Sequence, residues 1–110
     1  MRLPVFAAAF TVAFGGAAFA FECPAHFAEA QAMIDKVTAD MKGMSETMPK
    51  ERMALVHALL DDAKMYLGSG IHNHEKPQGV YDHARAIAKA DAALGHARAA
   101  DLLHFKYMQM

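Results

Sequence analysis

Apolar residues recur along this chain with the 3.6-residue period of helices, and no stretch alternates with the two-residue period of a strand. Phe27, Ala30, Ile34, Val37, Met41 and Met44 form one stripe, which Gly43 helps to close. Pro24 suits the first turn of a helix, so the spacing predicts a first helix from about Pro24 to about Lys42. A second stripe of Met53, Val56, Leu60, Ala63 and Leu67 predicts a helix from Pro49 to Gly68, with Thr47 as its cap. Gly68-Ser69-Gly70 and Pro77-Gln78-Gly79 bracket Ile71 to Lys76, which reads as a polar loop. A third helix is predicted from about Val80 to Tyr107, carrying Ile87, Leu94, Leu102 and Phe105 inward, with Gly95 as the point where it would kink or break. The fold class is therefore all-α: an up-down-up bundle of three helices, or four segments if Gly95 breaks the last.

The first 20 residues stand apart from this pattern. Met1-Arg2 gives a short positive start, and Leu3 to Phe14 is uncharged and, Thr11 aside, apolar. Gly15-Gly16 then precedes Ala18-Phe19-Ala20, a small-x-small cleavage site. Residues 1–20 read as a secretion signal, leaving one domain over residues 21–110 in an oxidising exported compartment, the periplasm, and off the membrane once cleaved. The competing reading is an uncleaved anchor, since Leu3 to Phe21 is nearly long enough to span a bilayer. Lipidation at Cys23 is disfavoured by the charged Glu22 before it.

Charge and length narrow the function. The chain has 11 Lys and Arg against 12 Asp and Glu with no basic block, so it lacks the electrostatic footprint of nucleic-acid binding. The roughly 90 residues after the signal suffice for one modest core. No Ser-His-Asp or Cys-His arrangement with an evident third member occurs, nor a glycine-rich phosphate loop, nor a CxxCH haem attachment. A bundle this small also offers little room for a substrate pocket, so no enzymatic activity is expected. Cys23, the single cysteine, cannot make an internal disulfide, which leaves a free thiol, an intermolecular bridge in a homodimer, or a metal ligand.

Seven histidines and nine methionines, all but Met1 beyond the signal, change the picture most. Imidazole and thioether are neutral donors for copper, and imidazole also suits zinc and nickel. An antiparallel bundle brings the start of the first helix, the loop after the second and the start of the third to one end. Cys23, His26, His72, His74, Glu75 and His83 gather there. His72-x-His74 would put two imidazoles on one segment, His83 would enter from the next helix, and His26 or Cys23 would complete a four-ligand site. Asp82 and Glu75 would orient the rings from behind. At the other end Met41, Met44 and Met48 recur at helical spacing and suit copper(I), although Met41 and Met44 also continue the core stripe. Asp101 and His104 share one helix face there, half of a carboxylate-histidine metal motif. Without inward carboxylates on the other helices, Asp101 reads rather as the fraying end of the third helix or as an interhelical ion pair or hydrogen bond. His57 and Asp61 read as a flank pair, and His96 is expected to face solvent.

The alanine-rich, histidine-bearing stretch from Asp82-His83-Ala84-Arg85-Ala86 to His96-Ala97-Arg98-Ala99-Ala100 resembles the small periplasmic histidine-rich metal-binding helical bundles of bacteria. The resemblance is compositional and covers about the last third of the chain. It departs in having fewer, irregularly spaced histidines and many methionines. It implies binding of copper or another divalent metal. The expected function is buffering or delivery of copper, with zinc or nickel as alternatives, and with a donor or acceptor protein as partner. The alternative is a metal-independent interaction or adaptor module of the periplasm.

Overall fold

A computed structural model describes the backbone at residues 17–44 and 48–109, and the side chains at 22–43 and 48–104. Three helices make up the fold, α1 at Ala17–Met44, α2 at Lys50–Glu75 and α3 at Val80–Gln109, and no strand occurs among the described residues. The up-down-up bundle expected from the apolar spacing is the architecture observed. α1 and α3 run parallel, as the order of their cross-links shows: Cys23 meets His83, His26 meets Asp91, and Lys36 meets Asp101. α2 runs back between them in sequence, and α3 carries most of the interhelical packing.

The core follows the predicted stripes on α1 and α2. Ala30, Ile34, Val37 and Met41 on α1 and Val56, Leu60, Ala63 and Leu67 on α2 are buried, Phe27 and Met53 pack against them, and Met48 joins from the connection between the helices. Ile34, Val37 and Val56 are the largest fully buried aliphatic side chains, and each contributes roughly 1.5–3 kcal/mol through loss of apolar surface to water. α3 departs from expectation. Its inward stripe is Ala86, Ala90, Ala93, Ala97 and Ala100, all with no exposed surface, joined by Leu94. Leu102, expected inside, is 58% exposed, and Leu103 packs on the core instead. Methyl-sized side chains bring α3 close to both neighbours, so packing here comes from proximity rather than bulk. No break occurs at Gly95, which is exposed and helical.

Two boundaries move. α1 starts upstream of Pro24, because Ala17 to Glu22 contains nothing that stops a helix. Pro24, inside the helix, removes an N–H that would have bonded one turn back and crowds the carbonyl there. In a chain beginning at Phe21, that proline would stand in the first turn, as the sequence suggested. Residues 1–16 of the expected signal, and Thr47, lie outside the described residues. No described helix is long and apolar enough to cross a membrane.

The larger change is at the far end of α2, which continues seven residues past Gly68 through the segment expected to be a loop. Gly70 faces α3 so closely that a Cβ on it would lie 2.9 Å from the Ala86 carbonyl oxygen and 3.2 Å from Lys89 Cβ. Lys89 then reaches across and donates to Ser69 Oγ at 2.8 Å and Asn73 Oδ1 at 2.7 Å, one helical turn apart. Tertiary packing and this clip outweigh the roughly 1 kcal/mol that each glycine costs a helix. The true connection is Lys76 to Gly79. Gly79 has φ of +153°, open to glycine but strained for other residues, and Asp82 Oδ2 accepts the Gln78 N–H at 2.7 Å to cap α3.

Candidate metal centre

Each of the three helices sends one donor to the end of the bundle where the α2–α3 connection lies. Cys23 comes from α1, His74 from the last turn of α2 and His83 from the first turn of α3. One donor atom of each, Sγ or a ring nitrogen, lies within 4.8 Å of the other two. The imidazoles meet edge to face, with centroids 5.4 Å apart and planes at 68°. Phe27, one turn along α1 from Cys23, packs its ring against His74 at 5.6 Å and 77°.

Cys23 is fully buried. Its thiol donates to the His83 carbonyl oxygen at 3.5 Å, a contact that ties residues 60 apart in sequence. Burial, and then the negative charge of Glu22, push the thiol above its usual pKa, so it is protonated in the metal-free protein. His74 and His83 are half-buried, and the Nδ1 of each is shielded from solvent without a hydrogen-bond partner. Buried ring nitrogens without partners are uncommon and costly, and coordination of an ion would satisfy those of His74 and His83. With metal–sulfur and metal–nitrogen bonds of about 2.3 and 2.0–2.1 Å, donors around zinc stand about 3.3–3.8 Å apart, so these three need draw in by no more than about 1.5 Å.

Of the expected ligands, Cys23, His74 and His83 come together. His72 and His26 do not join them. His72 is exposed, because on a helix a side chain two positions away points to nearly the opposite face, whereas a loop would have let both rings converge. His26 instead bonds Asp91 through Nδ1 at 2.7 Å. Asp82 and Glu75 do not orient the rings: Asp82 caps α3 and pairs with Arg85 at 3.7 Å, and Glu75 is exposed. Because Cys23 is buried, an intermolecular disulfide through it would require α1 to open.

The methionine end reads as core. Met41 and Met48 are each 5% exposed and belong to the central cluster, Met48 included, although its position outside the stripe left it unexplained by sequence. The Met44 side chain, Met108 and Met110 lie outside the described side chains. Asp101 accepts a hydrogen bond from Lys36 Nζ at 3.0 Å, an ion pair between α1 and α3 rather than half of a metal motif. His104, one turn further, also has a buried Nδ1 without a partner, but among the described residues it joins no donor cluster. His96 does not face solvent: its Nδ1 donates to the Ala92 carbonyl at 2.8 Å, and its ring lies 5.1 Å from Tyr66. A cleft of about 420 Å³ opens between α1 and α2 nearer that end, lined by Thr38, Met41, Met53, His57, Leu60 and Lys64 among others. It shares no residue with the cysteine-histidine group.

What sequence reasoning lacked was the choice of partners within one end of the bundle. The i to i+2 geometry of His72 and His74 carried that signal, once Gly68 and Gly70 are read as helical. Comparisons with protein-family models, with curated proteins and with solved structures find no match.

Proposed function

We propose that this protein binds one metal ion through Cys23, His74 and His83 and buffers or delivers it in the periplasm, with copper as the first candidate and zinc or nickel as alternatives. One observation carries the reading. A buried thiol and two imidazoles with unpartnered buried nitrogens, drawn from three helices, converge within 4.8 Å. Thiolate with imidazole is a donor set for copper and zinc, while the hard ions magnesium and calcium take oxygen. With one donor from each of three helices, the arrangement suits holding and handing on an ion.

The test is titration of the purified protein with copper and zinc, followed by elemental analysis after gel filtration. One equivalent retained by the wild type and lost from a His74→Ala, His83→Ala double variant supports the proposal, and no retained metal in the wild type sinks it. A second reading, a metal-independent interaction module, is favoured by the exposure of Leu55, Met65 and Leu102, each more than half exposed at 56%, 59% and 58%. Absence of retained metal in the same experiment would favour it.

A further inference from the structure

Among the described cysteine, histidine and carboxylate side chains, no fourth donor joins Cys23, His74 and His83. Neighbouring polar groups are committed elsewhere, His26 to Asp91 and Asp82 to the α3 cap and Arg85, while Glu22 and Glu75 are exposed. On the core side Phe27 lies against the site. Phe27 stands four residues after Cys23, hence on the same face of α1, and packs against the His74 ring. Its Cε1 lies 3.4 Å from the place a Cβ on Gly70 would occupy. Where α1 and α2 might have presented another ligand, they present a ring edge and a glycine.

Zinc in protein sites takes four donors, with water filling the fourth place when the protein supplies three. Copper(I) is soft, has a filled d shell and accepts three donors readily, thiolate above all. Charge points the same way. One thiolate with copper(I) is neutral, whereas with zinc it leaves a net positive charge beside a buried sulfur and a phenyl ring, with no carboxylate of the group to offset it.

Building on the metal-binding reading, we propose that Phe27 is a specificity-determining residue that keeps the site three-coordinate and so favours copper(I) over zinc. It acts by filling the corner beside Cys23 with a group that cannot ligate. Its replacement by a donor at the same helical position creates Cys-x3-His on one face of α1 and completes a tetrahedral set.

The experiment measures copper(I) and zinc affinities of wild type, Phe27→His and Phe27→Leu by chelator competition without oxygen, with X-ray absorption at the copper and zinc edges. Wild type should hold copper(I) with one sulfur and two nitrogens and no fourth ligand. Phe27→His should tighten zinc by about 10–100-fold and add a nitrogen at zinc, shifting the copper-to-zinc preference by the same factor. Phe27→Leu, apolar and without a donor, should leave that preference within a few-fold of wild type. Four-coordinate copper(I) in the wild type, or a helical Phe27→His with unchanged zinc affinity, overturns the proposal. If Phe27→His fails to fold, the wild-type coordination number and the Phe27→Leu preference decide: three donors and an unchanged preference support it, and any other result overturns it. Wild type that binds neither metal overturns the metal-binding reading as well, whereas wild type that binds zinc in a four-coordinate site as tightly as copper(I) overturns this inference alone.

Discussion

Gly70 lies against Ala86 so closely that a Cβ on it would come within 2.9 Å of that residue's carbonyl oxygen. The obstacle is backbone in the second turn of α3, which cannot rotate aside as a side chain would. Gly70→Ala should therefore push α2 away from α3 one turn before His74 and cost about 1–3 kcal/mol, as overpacking does. Gly68 makes the comparison, being exposed with nothing within 4 Å of its Cβ position. Gly68→Ala should raise stability by about 0.5–1 kcal/mol, since alanine gives up less backbone entropy in a helix. Thermal melts of the two variants should shift in opposite directions, and a Gly70→Ala protein as stable as wild type would show that the contact relaxes freely.

The three neighbouring histidines should separate cleanly. His72 is exposed and outside the group, so His72→Ala should leave metal affinity unchanged. His74→Ala and His83→Ala should each weaken it by about 10–100-fold or more, taking a lost ligand as worth at least a lost supporting contact. Competition titrations decide, and equal losses for all three variants would mean that metal binds wherever imidazole is available.

Cys23 sets an opposite pH dependence for the metal-free and metal-bound protein. Its pKa is raised by burial and by Glu22, so folding favours the neutral thiol. For a raised acid the unfolded chain loses its proton first, and the metal-free fold therefore loses stability as pH rises above the ordinary thiol range. Metal needs the thiolate and displaces that proton, so affinity should climb by up to about tenfold per pH unit until the thiol ionises unaided. Denaturant melts of the metal-free protein should show the alkaline decline, and Cys23→Ser should make it shallower from the ordinary thiol range upward.

Lys36 and Asp101 form a surface brace rather than a ligand pair. The hydrogen bond to Asp101, and then that to Asp40, raises the Lys36 pKa, so the brace contributes below the ordinary lysine range and is lost as pH rises through the raised value. Asp101→Asn should lower the melting temperature slightly in dilute buffer, with the difference shrinking in high salt, and should not change metal affinity. A change in metal affinity would return Asp101 to the candidate ligands.

Much of the fold was legible because α1 and α2 bury large apolar residues at helical spacing, and Ile34, Val37, Val56 and Leu60 announce their faces. α3 was legible in extent but not in orientation. Its inner face is alanine, and alanine also fills its flanks, so Leu102 drew the stripe to the wrong side. Gly68-Ser69-Gly70 has turn composition, and only the approach of Ala86 and the reach of Lys89, both distant in sequence, keep it helical. The candidate site was half legible for the same reason. Topology placed Cys23, His26, His72, His74 and His83 at one end, but selecting three of them required knowing that His72 and His74 stand on one helix and that His26 has Asp91.

The proposed ligands are divided unevenly along the polypeptide. His74 and His83 flank a tight connection and approach one another as soon as α2 and α3 pair, whereas Cys23 reaches them from 60 residues before His83. Closing so long a loop is the slower, entropically dearer event, so the pair of imidazoles should assemble before the sulfur arrives. On the proposed function, a metal ion encountering the α2–α3 hairpin would meet two neutral donors and a weak grip, and the sulfur donor would join only when α1 docks. If the protein binds metal as proposed, capture would act as a checkpoint on completed assembly, and a chain trapped short of that docking would be expected to release its ion.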